Sequence, residues 1–205
     1  MKKISGFLSL VFCIIFLLSC LLFSDQNANA ASEYDSKIIK KIEKLINETY
    51  ITYTNVLGTD RIDMINHPLN TKDQIIFGVY FLYNNRYDKL EKSSDSSECI
   101  IPIKSVKAVL RRVLDCHLSD KAISDQKIDG FKIFPDHIII GQGDPGIPPS
   151  IKVTKVTRDD IGLIRVQGIE DDENLTKATK YKIVLRERGK KDKIFWNVLL
   201  MKPIN

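Results

Sequence analysis

The chain has 205 residues, 43% of them hydrophobic and 28% charged, which suits one ordinary globular domain plus an N-terminal segment of different character. This composition excludes collagen, a long coiled coil, wholesale disorder and a cysteine-dense miniprotein. A formal charge of +5, from 31 basic and 26 acidic residues, is too mild to mark a nucleic-acid binder or a polyanion trap.

Lys2 and Lys3 precede an apolar run from Phe7 to Phe23, broken only by Ser9 and Ser19, and the chain then turns polar before Ala28-Asn29-Ala30-Ala31. Small residues at Ala28 and Ala30 suit signal peptidase, so residues 1–30 read as an export signal cleaved before Ala31. The run is longer than the usual signal core of about 7–15 residues and reaches the lower edge of a membrane span, so an uncleaved anchor is a second reading. Leu17-Leu18-Ser19-Cys20 supplies a third, lipidation at Cys20. All three place residues 31–205, read as a single domain, outside the cytoplasm, and only the anchor or a lipidated Cys20 would tie them to a membrane.

Cys99 and Cys116 are the only cysteines beyond that segment, and an even pair in an oxidising compartment predicts one disulfide. Two separate buried thiols are the alternative. With a helix starting near Val106, Cys116 lies about 15 Å along it, so closure requires residues 99–105 to fold back.

Ile38, Ile42, Leu45, Ile46, Tyr50 and Tyr53 recur at helical spacing with lysines on the opposite side, predicting a first helix capped by Asp35 or Ser36 and stopped near Gly58. Thr71 to Gln74 offers a capping box for a second helix through Ile75, Val79 and Tyr83. A serine-rich loop from Lys92 to Glu98 leads to a third apolar stripe from Val106 to Leu118. The tyrosines from Tyr34 to Tyr87 are expected in the core between these helices.

From about Phe131 the period becomes alternating. Strands are predicted at Ile138–Ile140, Ile151–Thr157 and Leu163–Ile169, the last two joined at Asp159-Asp160. A C-terminal hairpin places Tyr181, Ile183 and Leu185 opposite Trp196, Val198 and Leu200, with its turn at Gly189–Asp192. Helices followed by strands predict an α+β domain, three N-terminal helices covering one face of a curved antiparallel sheet.

Chemistry is sparse. Gly141 to Gly146 matches the letters of a dinucleotide fingerprint, but Pro145, Pro148 and Pro149 block the helix that must receive the pyrophosphate, and Asp144 would repel it. His67, His117 and His137 have no second ligand at metal-binding spacing, so neither a metal nor a cofactor is predicted. Cys116-His117 and Asp136-His137 are neighbours whose side chains should diverge, on a helix and a strand respectively. Asp136, Gln142 and Asp144 interrupt an apolar passage and are the ligand-binding candidates, able to line the mouth of a pocket or to cap loop amides. Asn47-Glu48-Thr49 and Asn174-Leu175-Thr176 fit the glycosylation pattern.

An export signal, three amphipathic helices, Phe134-Pro135-Asp136 through Gln142-Gly143-Asp144, and strands ending in Trp196-Asn197-Val198 resemble a bacterial family of exported proteins and lipoproteins of unknown function. The resemblance covers roughly residues 33–202. It implies the cystatin-like, nuclear-transport-factor-two-like fold, a bent antiparallel sheet wrapped around helices into a cone with an internal cavity. Relatives of that fold include isomerases, dehydratases, carriers and dimerising scaffolds, and its enzymes pair an aspartate with a histidine or tyrosine inside the cone. No such pair maps onto this chain. The expectation is therefore a non-catalytic exported binding protein of the cell envelope, its partner an envelope protein or a toxin it neutralises. The alternative is a small cavity enzyme or ligand carrier using Asp136 or Asp144.

Overall fold

The computed structural model describes residues 34–59, 61–93, 97–141, 143, 150–171, 178–189 and 194–204. Asp35 opens helix α1 (Ser36–Leu57) by accepting the Ile38 amide at 2.8 Å, and Gly58 ends it with a left-handed φ of 62°. Both boundaries lie where the sequence puts them. Ile42, Ile46, Tyr50 and Tyr53 are buried while Lys37, Lys40, Lys41 and Lys44 face water.

Helix α2 (Thr71–Arg86) is capped one residue earlier than predicted. Asn70, rather than Thr71, accepts the Asp73 amide at 2.9 Å, and its own side-chain amide donates to Asp73 Oδ2 at 2.7 Å. An asparagine supplies acceptor and donor together, so the cap closes through Asn70 and Asp73. Burial of Ile75, Phe77, Gly78, Val79 and Phe81 leaves α2 enclosed on several sides. A β-carbon at Gly78 would lie 2.8 Å from Val106 Cγ1, which is how the next helix approaches so closely.

That next helix, α3 (Ile103–Val109), continues as a π-turn (Leu110–Leu114) and stops at Asp115, whose φ is 59°. It ends four residues short of the predicted Leu118. A fourth helix, α4 (Asp120–Ser124), is capped by Ser119 Oγ. The described residues thus hold four helices where three were expected, because α4 is too short to show an apolar period.

The strands form two antiparallel sheets instead of the one expected. The larger orders β1 (Ile62–Asp63), β9 (Phe195–Ile204), β8 (Lys180–Arg188), β7 (Leu163–Asp171) and β6 (Ser150–Arg158). The smaller orders β2 (Glu91–Lys92), β3 (Glu98–Pro102), β5 (His137–Gly141) and β4 (Phe131–Ile133). Strand β3 has only five residues before α3 begins, too few to register as alternation, yet it pairs with β5 from Glu98↔Gly141 to Pro102↔His137. That pairing keeps Ile138–Ile140 out of the C-terminal sheet.

Two bulges shift the burial phase in the large sheet. Thr154 is the extra residue on β6, so Ile151 and Val156 are both buried although they are five positions apart. Leu199 is the extra residue on β9: Leu185 pairs with Val198 and Val184 with Leu200. Fully buried Met201 therefore takes the core position expected of Leu200.

Helix α1 closes the β6 edge of this sheet. Asn47 Oδ1 accepts the Ile151 amide at 2.6 Å, Asn47 Nδ2 donates to the Ile151 carbonyl at 3.2 Å, and Glu43 accepts the Val153 amide at 2.8 Å. Four residues of helix rise about 6 Å and two residues of strand about 6.7 Å, so positions 43 and 47 match positions 153 and 151. The first glycosylation pattern is thereby occupied by structure, and the second lies outside the described residues. Replacing Asn47 with alanine should cost about 1–3 kcal/mol by orphaning both backbone groups, read as a lower urea midpoint at unchanged m-value. An unchanged midpoint would show that water serves that edge equally well.

Cys99 and Cys116 are free thiols, in place of the expected disulfide. Cys99 is fully buried on β3 opposite Ile140. Cys116 follows the π-turn and donates weakly to the Leu114 carbonyl at 3.5 Å.

Candidate functional site

Of the three ligand-binding candidates, Asp136 is described, and Gln142 and Asp144 lie outside the described residues. Asp136 stands on open surface, its side chain 85% exposed, and its carboxylate meets His137 Nδ1 at 2.7 Å. The divergence expected of these neighbours does not occur because Asp136 sits in the β4–β5 turn, before the strand begins. The bond to His137 holds the Asp136 carboxyl below its usual range. Phe134 stacks on the same imidazole with centroids 4.6 Å apart.

Cys116-His117 borders a small hollow of about 290 Å³ with Lys104, Lys107 and Arg111. Burial pushes the Cys116 thiol up to about 11, so it stays protonated at neutral pH and is a poor nucleophile.

A larger concavity lies between α1, α2, α3 with its π-turn, and the start of β9. It has a volume of about 500 Å³. Its floor is apolar: Leu45 from α1, Phe81 and Leu82 from α2, Val109 and Val113 from α3 and the π-turn, and Phe195 from β9. Lys41, Lys44, Arg86 and Arg112 stand among its lining residues, and Glu48 is the one carboxylate among them. Glu48 takes Arg86 at 3.1 Å and Lys44 at 3.9 Å. Lys41 and Arg112 have no ion-pair partner among the described residues.

Trp196, 8% exposed, forms part of the groove wall, and its buried indole N–H has no hydrogen-bond partner among the described residues. Leaving such a donor unpaired costs about 1–3 kcal/mol.

The wall owes its position to the end of the π-turn. The Asp115 and Cys116 amides both donate to the Leu110 carbonyl, leaving the Arg111 and Arg112 carbonyls to Asn197 Nδ2 at 3.1 and 2.8 Å. Asp115 accepts from Arg186 at 3.0 Å and from Arg188, both on β8. Helix end and sheet are thus joined at Asn197, the residue after Trp196.

Compared with family models, curated proteins and solved structures, the chain matches none. The site therefore rests on its own geometry. Reading along the sequence missed it because its lining comes from four elements far apart in the chain. Two signals were visible, a lone tryptophan at the start of the last strand and a Lys41-Lys44-Glu48 row on one turn face of α1.

Proposed function

We propose that this chain is an exported, non-catalytic binding protein of the cell envelope, and that its ligand occupies the groove between α1, α2, α3 and β9. The observation that carries this reading is an apolar groove bordered by Lys41 and Arg112, which have no ion-pair partner among the described residues. A volume of about 500 Å³ falls within the roughly 300–1,000 Å³ of small-molecule sites, which favours a compact ligand over a broad protein face. Asp136, the described carboxylate of the enzyme alternative, lies away from this groove on open surface. Export rests on the Lys2-Lys3 start, the apolar run and the Ala28-Asn29-Ala30 site. Kinship with the cystatin-like family is part of the same proposal, supported by the bulged antiparallel sheet with α1 across its edge.

Trp196 is the only tryptophan in the chain, so its emission reports on this wall alone. Neutral N-phenyl-1-naphthylamine should bind saturably with energy transfer from Trp196, and Val109→Phe, which fills the floor, should weaken it about tenfold, near 1.4 kcal/mol. Unsaturable uptake, or equal binding by the filled variant, would remove the groove as the site. The mass of the N-terminus recovered from envelope fractions tests export and separates cleavage before Ala31, lipidation at Cys20 and a retained anchor.

A further inference from the structure

The groove's charges narrow its ligand. Four cationic side chains face one carboxylate, and Glu48 is already engaged by Arg86 and Lys44. Lys41 and Arg112 keep uncompensated charge among the described residues, beside the apolar floor. A wholly apolar ligand would leave that charge unmet. A polyanion would meet the charge but would lay its hydrated body on an apolar floor.

Resting on the binding reading above, we infer that the ligand is a single-chain anionic amphiphile. Its acyl chain lies on the floor formed by Leu45, Phe81, Val109 and Phe195. Its carboxylate sits toward Arg112 and Lys41. The guanidinium of Arg112 suits a carboxylate because it offers paired donors in a plane. Glu48 disfavours a second negative charge farther along the groove and holds Arg86 in place.

Dodecanoate and its methyl ester form the test pair, since both carry the chain and a carbonyl acceptor while only the acid carries charge. Titrated against the purified mature chain below their aggregation concentrations, by calorimetry and Trp196 emission, dodecanoate should bind one-to-one and at least tenfold tighter than the ester. Added salt should shrink that advantage. Arg112→Gln with Lys41→Gln should abolish it, bringing acid and ester to equal affinity; both side chains are exposed, so folding is retained.

Equal affinity for acid and ester, or tighter binding of dodecyltrimethylammonium, would overturn the anionic assignment and leave the groove reading standing. Failure of every probe, neutral ones included, would overturn the groove reading itself. A Trp196 shift that follows protein concentration alone, in step with dimerisation, would make a second copy the occupant and overturn the proposal.

Discussion

Replacing Asn197 with alanine should lower the unfolding free energy by about 3 kcal/mol, roughly a fifth to three fifths of what a domain ordinarily has. Asn197 is fully buried, and its amide supplies the hydrogen bonds to the Arg111 and Arg112 carbonyls. Those carbonyls belong to the last turn of a helix, where no further amide of the same helix can reach them. The π-turn makes the shortage worse, because two successive amides, of Asp115 and Cys116, converge on the single Leu110 carbonyl. Asn197→Leu restores most of the lost volume but not the donor, so it should remain destabilised by about 2 kcal/mol, separating hydrogen bonding from cavity formation. Asn197→Asp should be at least as damaging, since it turns a carboxylate oxygen toward two carbonyls. Urea unfolding monitored by circular dichroism checks the series. A leucine variant as stable as the parent would mean that water reaches the carbonyls and that the joint between helix end and sheet contributes little.

The same joint shows what the sequence could and could not reveal. Helix α1 was legible from end to end because its cap, its apolar stripe and its terminal glycine are all local signals. The terminal hairpin was legible as alternation, but not its bulge at Leu199, since an extra residue changes the phase without changing composition. Strand β3 and helix α4 were missed for a related reason: with five residues each they repeat their period too few times to stand out from the flanking sequence. The split into two sheets followed from β3, and so did the error of predicting one. Asn197 was read only as part of a Trp-Asn-Val passage, because its partners lie 85 and 86 residues away in a turn that periodicity does not foresee. The groove depends on that same long-range meeting. Asp136 drew notice as a carboxylate in an apolar passage, yet the turn that bears it points it into water.

Stability should also collapse in alkali, beginning near pH 10 and falling by about 3 kcal/mol for each further pH unit as two tyrosines contribute together. Tyr50 and Tyr53 both have hydroxyls held above the ordinary tyrosine range. For Tyr50 burial is the main cause, followed by hydrogen bonds to Tyr181 at 2.9 Å and to Glu170 at 2.8 Å. For Tyr53 it is burial, then the nearby Cys116 and Asp73. A group whose folded pKa is raised binds its proton more tightly in the native state. Its contribution is therefore complete below the unfolded value and lost as pH rises beyond it. Two pH units of this loss come to about 5.5 kcal/mol, comparable with the whole stability of a modest domain, so such a domain should be unfolded by about pH 12. Cys116, raised to about 11, acts in the same direction from a lower starting pH. Tyr53→Phe isolates the effect, because the hydroxyl it removes has only a weak 3.5 Å contact with Met64 Sδ. At pH 7 the variant should match the parent closely, whereas above pH 10 its free energy should fall only about half as steeply. Parallel slopes for parent and variant between pH 10 and 12 would show that Tyr53 ionises without unfolding the chain, and that its enclosure between α1 and α2 opens more readily than its burial implies.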